Sequence, residues 1–332
     1  MTMRWAIVAV LLALAFARPQ TAAMASTPAR LPRWGPGAQA MAIPAPSTQP
    51  VFSANSELVV LHVSVEDSKR RYVPGLGKDA FKVFDNGEAQ QVAMFSGEDV
   101  PATVGVLIDN SGSMAPSRER VIAAALAFTE TSHPEDEIFV LTFNEHVRQA
   151  WGPAVVSTTT PAIFKAAVGR AITAVGMTAV YDAIDEGLRR VRRGIHTRQV
   201  LVVISDGSDN ASTANERDVI QRVHDSDATV YAVGLIDPVT RAGDPGVLRR
   251  LTKATGGTLF QPKQTAEIPA VLEKIARDIR SAYTLAYVPS RATAGGARRM
   301  IRVQARSPQG RALAVRSRDG VFLKTITGGA AQ

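Results

Sequence analysis

The sequence predicts an α/β fold: a doubly wound, mostly parallel sheet, with a small all-β, sandwich-like unit built from the flanking N- and C-terminal segments. Three observations carry this expectation. From 101 to about 282, short runs rich in Val, Ile and Leu alternate with segments of helical periodicity. Runs of strand-like alternation come before and after that stretch. Two of the apolar runs end in an acid, at Asp109 and at Asp206. Sites in sheets of this kind gather at the carboxyl ends of the strands.

Taken in order, residues 1–25 read as a signal peptide. Arg4 precedes an apolar stretch from Trp5 to Phe16, and Ala23-Met24-Ala25 gives a small-x-small cleavage pattern before Ser26. The stretch is short for a bilayer span; the other reading is an uncleaved N-terminal membrane anchor. No other segment approaches transmembrane length, so the expected location is periplasmic or secreted. Residues 26–55, rich in Pro, Ala, Ser and Gly, read as a flexible linker. Residues 56–97 form an N-terminal β unit. It holds an alternating strand at Glu57–Val65, then Phe81–Phe84 and Gln91–Phe95 paired as a hairpin over the turn at Asn86-Gly87.

The central domain spans 101–282. Its expected strands are Val104–Ile108, Glu137–Phe143, Gln199–Ile204 and Thr229–Leu235. Its expected helices are Ser117–Thr131, Pro161–Ala171, Ala179–Val191, Asn215–Asp225, Pro245–Thr255 and Ile268–Ser281. Strands return over 283–325 and are expected to pack with the N-terminal unit.

The chemistry concentrates at the end of the first central strand. Asp109, Ser111 and Ser113 offer oxygens at alternate positions, and Gly112 permits a tight turn. Such a donor set suits a small hard cation such as Mg²⁺. An ordinary strand-to-helix turn with capping residues is the other reading. Val175-Gly176-Met177-Thr178 precedes a helix, where Thr178 is a ligand candidate or a cap. Asp206 follows a second apolar strand and is followed by Gly207.

Strand, Asp-x-Ser-x-Ser, Gly-x-Thr and strand-Asp-Gly, in that order, resemble the von Willebrand factor A (vWA) family over roughly 101–282. The match includes all five positions of that family's metal-ion-dependent adhesion site, or MIDAS. The resemblance implies that Ser111, Ser113 and Thr178 bind the metal directly, while Asp109 and Asp206 act through waters. It also implies a final helix, Ile268–Ser281, that shifts on ligand binding in several members. The flanks resemble the vWA-related proteins of Acidobacteria, through Pro74-Gly75-Leu76, Phe81–Gly87 and the Tyr283–Tyr287 strand.

The expected function is an exported binding protein in which Mg²⁺, or Mn²⁺ or Ca²⁺, recognises an Asp or Glu carboxylate on a protein partner. The alternatives are a metal-dependent hydrolase or phosphatase, and a structural ion clamp without an external carboxylate. An enzyme is disfavoured: position 111 is Ser where a haloacid-dehalogenase-type phosphatase needs Asp. There is also no phosphate-binding loop and no Gly-x-Ser-x-Gly elbow. The chain has no cysteine, which removes disulfides, Cys-ligated metals and a thiol nucleophile. Nine basic residues follow Tyr283 against one acid, Asp319, and account for the whole net charge of +8. They read as solvated strand faces or as a surface for an acidic partner; no nucleic-acid module is present.

Overall fold

The computed structural model describes residues 58–235, 243–291 and 298–322. The expected signal peptide, the linker and the last residues of the 283–325 segment lie outside the described residues.

The chain begins with four strands: β1 (Val59–Glu66), β2 (Phe81–Asp85), β3 (Glu88–Gln90) and β4 (Val92–Ser96). The central layer then runs β5 (Ala102–Asp109), α1 (Arg118–Thr131), β6 (Glu137–Phe143), β7 (Val147–Val155), α2 (Pro161–Ala171), α3 (Val180–Val191) and β8 (Arg198–Ser205). It continues with α4 (Glu216–Asp225), β9 (Thr229–Gly234), α5 (Pro245–Thr255), β10 (Leu259–Phe260) and α6 (Ile268–Arg280). The chain returns through β11 (Tyr283–Tyr287), β12 (Arg298–Arg306), β13 (Ala312–Arg316) and β14 (Gly320–Phe322).

The central sheet has the order β10-β9-β8-β5-β6-β7. Its pairings are parallel except for β7, which runs antiparallel on β6 at the edge. Strand β5 is buried along its whole length, as a strand covered on both faces must be. Its side chains alternate between two cores. Val104, Val106 and Ile108 pack with α1, α2 and α6, whereas Leu107 packs with α3, α4 and α5. Gly105 lies between the Phe139 ring and Leu201, where an added Cβ would come within 2.4 Å of Phe139 Cζ. A larger residue at position 105 would displace the Phe139 ring.

The flanking strands join in a second sheet ordered β3-β2-β12-β13-β1-β11-β4, with β14 on β12. β1 passes between its two arms: Val59–Val63 pair with β11, and Ser64–Glu66 pair with β13. Both arms contribute to one core, including Leu61, Val83, Tyr283 and Val303. The Asn86-Gly87 hairpin differs from expectation. Asn86 (φ +50°) and Gly87 (φ +86°) form a two-residue turn, so Asp85 pairs with Glu88 and the partner of β2 is β3. The apolar run after Gln91 is β4, which pairs with β11 on the other arm.

The arginines of the returning strands follow the pleat. On β12, residues 298, 300, 302, 304 and 306 are exposed and the ones between are buried. Arg299 is the buried arginine of this strand. Its Nε lies 2.6 Å from Asp85 Oδ2, which also accepts from Tyr287 Oη at 2.9 Å. Arg316 joins the two layers: its Nη2 lies 2.9 Å from Glu66 Oε1 on β1 and 2.9 Å from Asp278 Oδ2 on α6. Among the described residues no helix is long and apolar enough to cross a membrane.

Removing the shared cation leaves Glu66 and the largely buried Asp278 as unpaired neighbours. Arg316→Ala is therefore expected to cost about 2 kcal/mol of folding stability, read as a lower midpoint in urea denaturation.

Candidate metal site

The register of β5 and β8 builds the site. The strands run parallel with Ile108 opposite Ile204, which brings Asp109 and Ser205 to the same rim as their last residues. Asp206 follows immediately. Asp109 is fully buried. Its Oδ1 accepts the Ser111 N–H at 2.9 Å, and its Oδ2 accepts the Ser205 hydroxyl at 2.6 Å. Burial pushes the Asp109 carboxyl up to about 6, opposed by the Ser111 and Ser205 hydroxyls and the Ser111 N–H and assisted by the nearby Asp206 charge. Asp206 is itself buried, and its Oδ1 accepts the Ser208 N–H at 2.9 Å.

Beyond Asp109 the chain enters a 3-10 turn, Gly112–Ser117, with Ser111 at its N-cap position. The Ser111 side chain makes no capping bond; its Oγ lies 3.0 Å from Ser113 Oγ. The two hydroxyls are thus paired with each other at the rim rather than used to start the helix. Thr178 does not cap α3 either: the N-cap position is Ala179. Asp209 Oδ2 and Ser212 Oγ instead accept the Tyr181 N–H, each at 3.1 Å.

Hydrogen bonds lock the three loops together. Gly112 N donates to Gly176 O at 3.1 Å and Val175 N to Asn110 O at 2.9 Å. On the other side, Thr178 N donates to Asn210 Oδ1 at 2.8 Å, and Thr178 O accepts from Asn210 N at 2.9 Å. The structure therefore brings the loops bearing Asp109, Ser111, Ser113, Thr178 and Asp206 into direct contact. The glycines are required. Gly176 (φ +102°) and Gly207 (φ +84°) adopt left-handed backbone, and a Cβ at Gly207 would lie 2.3 Å from Asp244 O.

Several supporting residues were not singled out by sequence. Ser205 orients Asp109. Asn110 Oδ1 accepts from both Thr173 N and Ala174 N at 2.6 Å. Asn144 Nδ2 donates to Val175 O at 3.1 Å. Asp209 and Asn210 hold α3 and Thr178. Asp182 accepts from Thr213 N and Ala214 N at 2.9 Å. A usable signal existed for Ser205, a hydroxyl placed directly before the acid that ends a buried strand. The asparagines gave none, because their partners lie 30 or more residues away.

The donor set fits a hard cation. Among the described residues no three His, Cys, Asp or Glu side chains gather as metal ligands. The rim instead offers hydroxyl oxygens backed by two buried carboxylates, a set matched to Mg²⁺, Mn²⁺ or Ca²⁺ chemistry.

Asn110 is nine-tenths buried, so Asn110→Ala would strand two backbone N–H groups. The expected cost is about 3 kcal/mol, measured by chemical denaturation, with the loss of protection at the Thr173 and Ala174 amides in hydrogen exchange.

Residues 104–274, just over half of the chain, match the family model of the von Willebrand factor type A domain. Among solved structures, a von Willebrand factor type A protein from Catenulispora acidiphila is 15% identical with a TM-score of 0.49, covering 83% of this chain and 76% of that one. Proximal thread matrix protein 1 from the mussel byssus, solved with a zinc-occupied MIDAS motif, is 13% identical with a TM-score of 0.46. That match covers 59% of this chain and 49% of the mussel protein, about half its length. An aerotolerance-related membrane protein from Bacteroides fragilis, carrying multiple mutations to serines, is 15% identical with a TM-score of 0.40, covering 54% of this chain and 98% of that one. No curated protein sequence matches the chain. The pattern of acids and hydroxyls at the rim and the family match agree, and the chain belongs to the von Willebrand factor type A domain family.

Proposed function

We propose that this protein is an exported binding module, not an enzyme, which uses a divalent cation at the β5–β8 rim to recognise an Asp or Glu side chain of a partner protein. One observation carries the reading. Both oxygens of Asp109 are already engaged, by Ser111 N and Ser205 Oγ, while the Ser111 and Ser113 hydroxyls lie side by side at 3.0 Å. The family's metal site, which this rim resembles, assigns direct contact with the ion to the hydroxyls of Ser111, Ser113 and Thr178, and gives Asp109 and Asp206 a role through waters.

A divalent cation held this way supplies a positive charge incompletely neutralised by the protein, with coordination positions that exchange water for a carboxylate. The protein's own part is to position and to exclude. Ser205 fixes the Asp109 carboxylate, Asn210 fixes Thr178, and the Gly112–Gly176 contact sets the spacing of the two loops. The reading gives the residues no proton to move. The N-terminal sequence supports export through its short apolar stretch and the Ala23-Met24-Ala25 pattern.

Calorimetric titration of the full chain with MgCl₂ is expected to show one site, weakened at least about tenfold by Ser205→Ala through loss of the bond that orients Asp109. Asp109→Ala is expected to abolish it. Capture of a partner from envelope extract should require MgCl₂ and be blocked by a Glu-bearing peptide but not by its Gln counterpart. Mg²⁺ binding unchanged by Asp109→Ala, or equal competition by both peptides, would overturn the reading. Export predicts a mature N-terminus at Ser26, read by N-terminal sequencing of the secreted or periplasmic protein; retention of residues 1–25 there would refute cleavage.

A further inference from the structure

We infer that Val175 and Met177 form an apolar flank to the ion site, so that the partner's acidic residue is one with aliphatic neighbours. This rests on the carboxylate reading above and adds the chemistry that surrounds the carboxylate.

Val175 and Met177 are 65% and 53% exposed. They bracket Gly176, whose carbonyl accepts the N–H of Gly112, the residue between the two site serines. Met177 also directly precedes Thr178. Val175 lies three residues before Thr178, and the Gly112–Gly176 bond brings the turn that carries both side chains against the turn that carries the two serines.

Exposed aliphatic side chains on a surface loop are ordinary when the loop is loose. This loop is held at nearly every peptide. Thr173 N and Ala174 N donate to Asn110 Oδ1, Val175 N to Asn110 O, Met177 N to Glu145 Oε2, Thr178 N to Asn210 Oδ1 and Ala179 N to Asn144 O. Val175 O and Gly176 O accept from Asn144 Nδ2 and Gly112 N. The backbone also takes two left-handed conformations, Ala174 (φ +56°) and Gly176 (φ +102°). Left-handed backbone at an alanine is strained and persists only where its surroundings enforce it.

A loop so fixed presents its two side chains in one arrangement, which removes much of the ordering cost of binding. Apolar cover around a carboxylate–cation contact excludes water and strengthens that contact. The Glu145 carboxylate, bonded to Met177 N, lies beside the loop and disfavours a second acid next to the first.

The test uses the full chain labelled at methionine methyls, followed by NMR during titration with acetate or 4-methylpentanoate, with MgCl₂ or with EDTA. Both carboxylates are expected to bind only with MgCl₂. 4-Methylpentanoate is expected to bind about tenfold more tightly, as burial of about half of its added aliphatic surface would give, and to shift the Met177 methyl. In Val175→Ser/Met177→Ser the gain should vanish, read at the Met114 methyl, while MgCl₂ and acetate bind as in the unaltered protein. Equal affinities for the two carboxylates, or a gain that survives in the double variant, overturns the apolar flank and leaves the carboxylate reading standing. Failure of both carboxylates to bind in MgCl₂ overturns that reading and the flank with it.

Discussion

The bond from Ser205 Oγ to Asp109 Oδ2, 2.6 Å long and fully buried, is the contact on which the site depends. It exists because β5 and β8 are neighbours in parallel register. A slip of one residue would turn Asp109 to the other face of the sheet. The surrounding layers prevent that slip. Val104, Val106 and Ile108 fill one core while Leu107 fills the other, and Gly105 admits the Phe139 ring. Packing of the strand interior thus fixes the position of the polar group at its end.

From that fixed point the site spreads outward through hydrogen bonds rather than packing. Asn110, Asn144 and Asn210 each link a strand end to the Thr173–Ala179 loop. An asparagine offers both a donor and an acceptor without charge, so it satisfies loop peptides without adding to the negative potential of two buried acids. The consequence is a rim whose loops are held in one arrangement by the protein's own hydrogen bonds.

The same economy of charge marks the junction between the layers. The basic excess after Tyr283 is largely engaged within the protein. Arg291, Arg298, Arg299, Arg316 and Arg318 pair with Glu88, Asp319, Asp85, Asp278 and Asp227, and Arg302 lies over the Phe84 ring at 4.7 Å. The C-terminal end of α6 is held from three directions. Arg198 donates to Ile279 O and Ala282 O, Arg280 pairs with Asp99, and Arg316 pairs with Asp278. Arg316 also ties α6 to β1 and β13, through Glu66.

The sequence by itself determined the elements whose pattern is local. The six long helices lie within a residue of the expected spans, and the four inner strands announce themselves as unbroken apolar runs. It also singled out Asp109, Ser111 and Ser113 by their spacing along one strand end and its turn, and Thr178 and Asp206 through the family's motif. It did not reveal β7, whose polar residues and Gly152-Pro153 suit an edge strand and mimic a loop. It assigned the hairpin partner of β2 wrongly, because β4 meets its true partner, β11, about 190 residues later in the chain. Only the tertiary structure decided which side chains hold the loops of the rim and how the basic strands pair. Those are contacts between segments remote in sequence, and no local pattern encodes which remote group will fill a hydrogen bond or neutralise a charge.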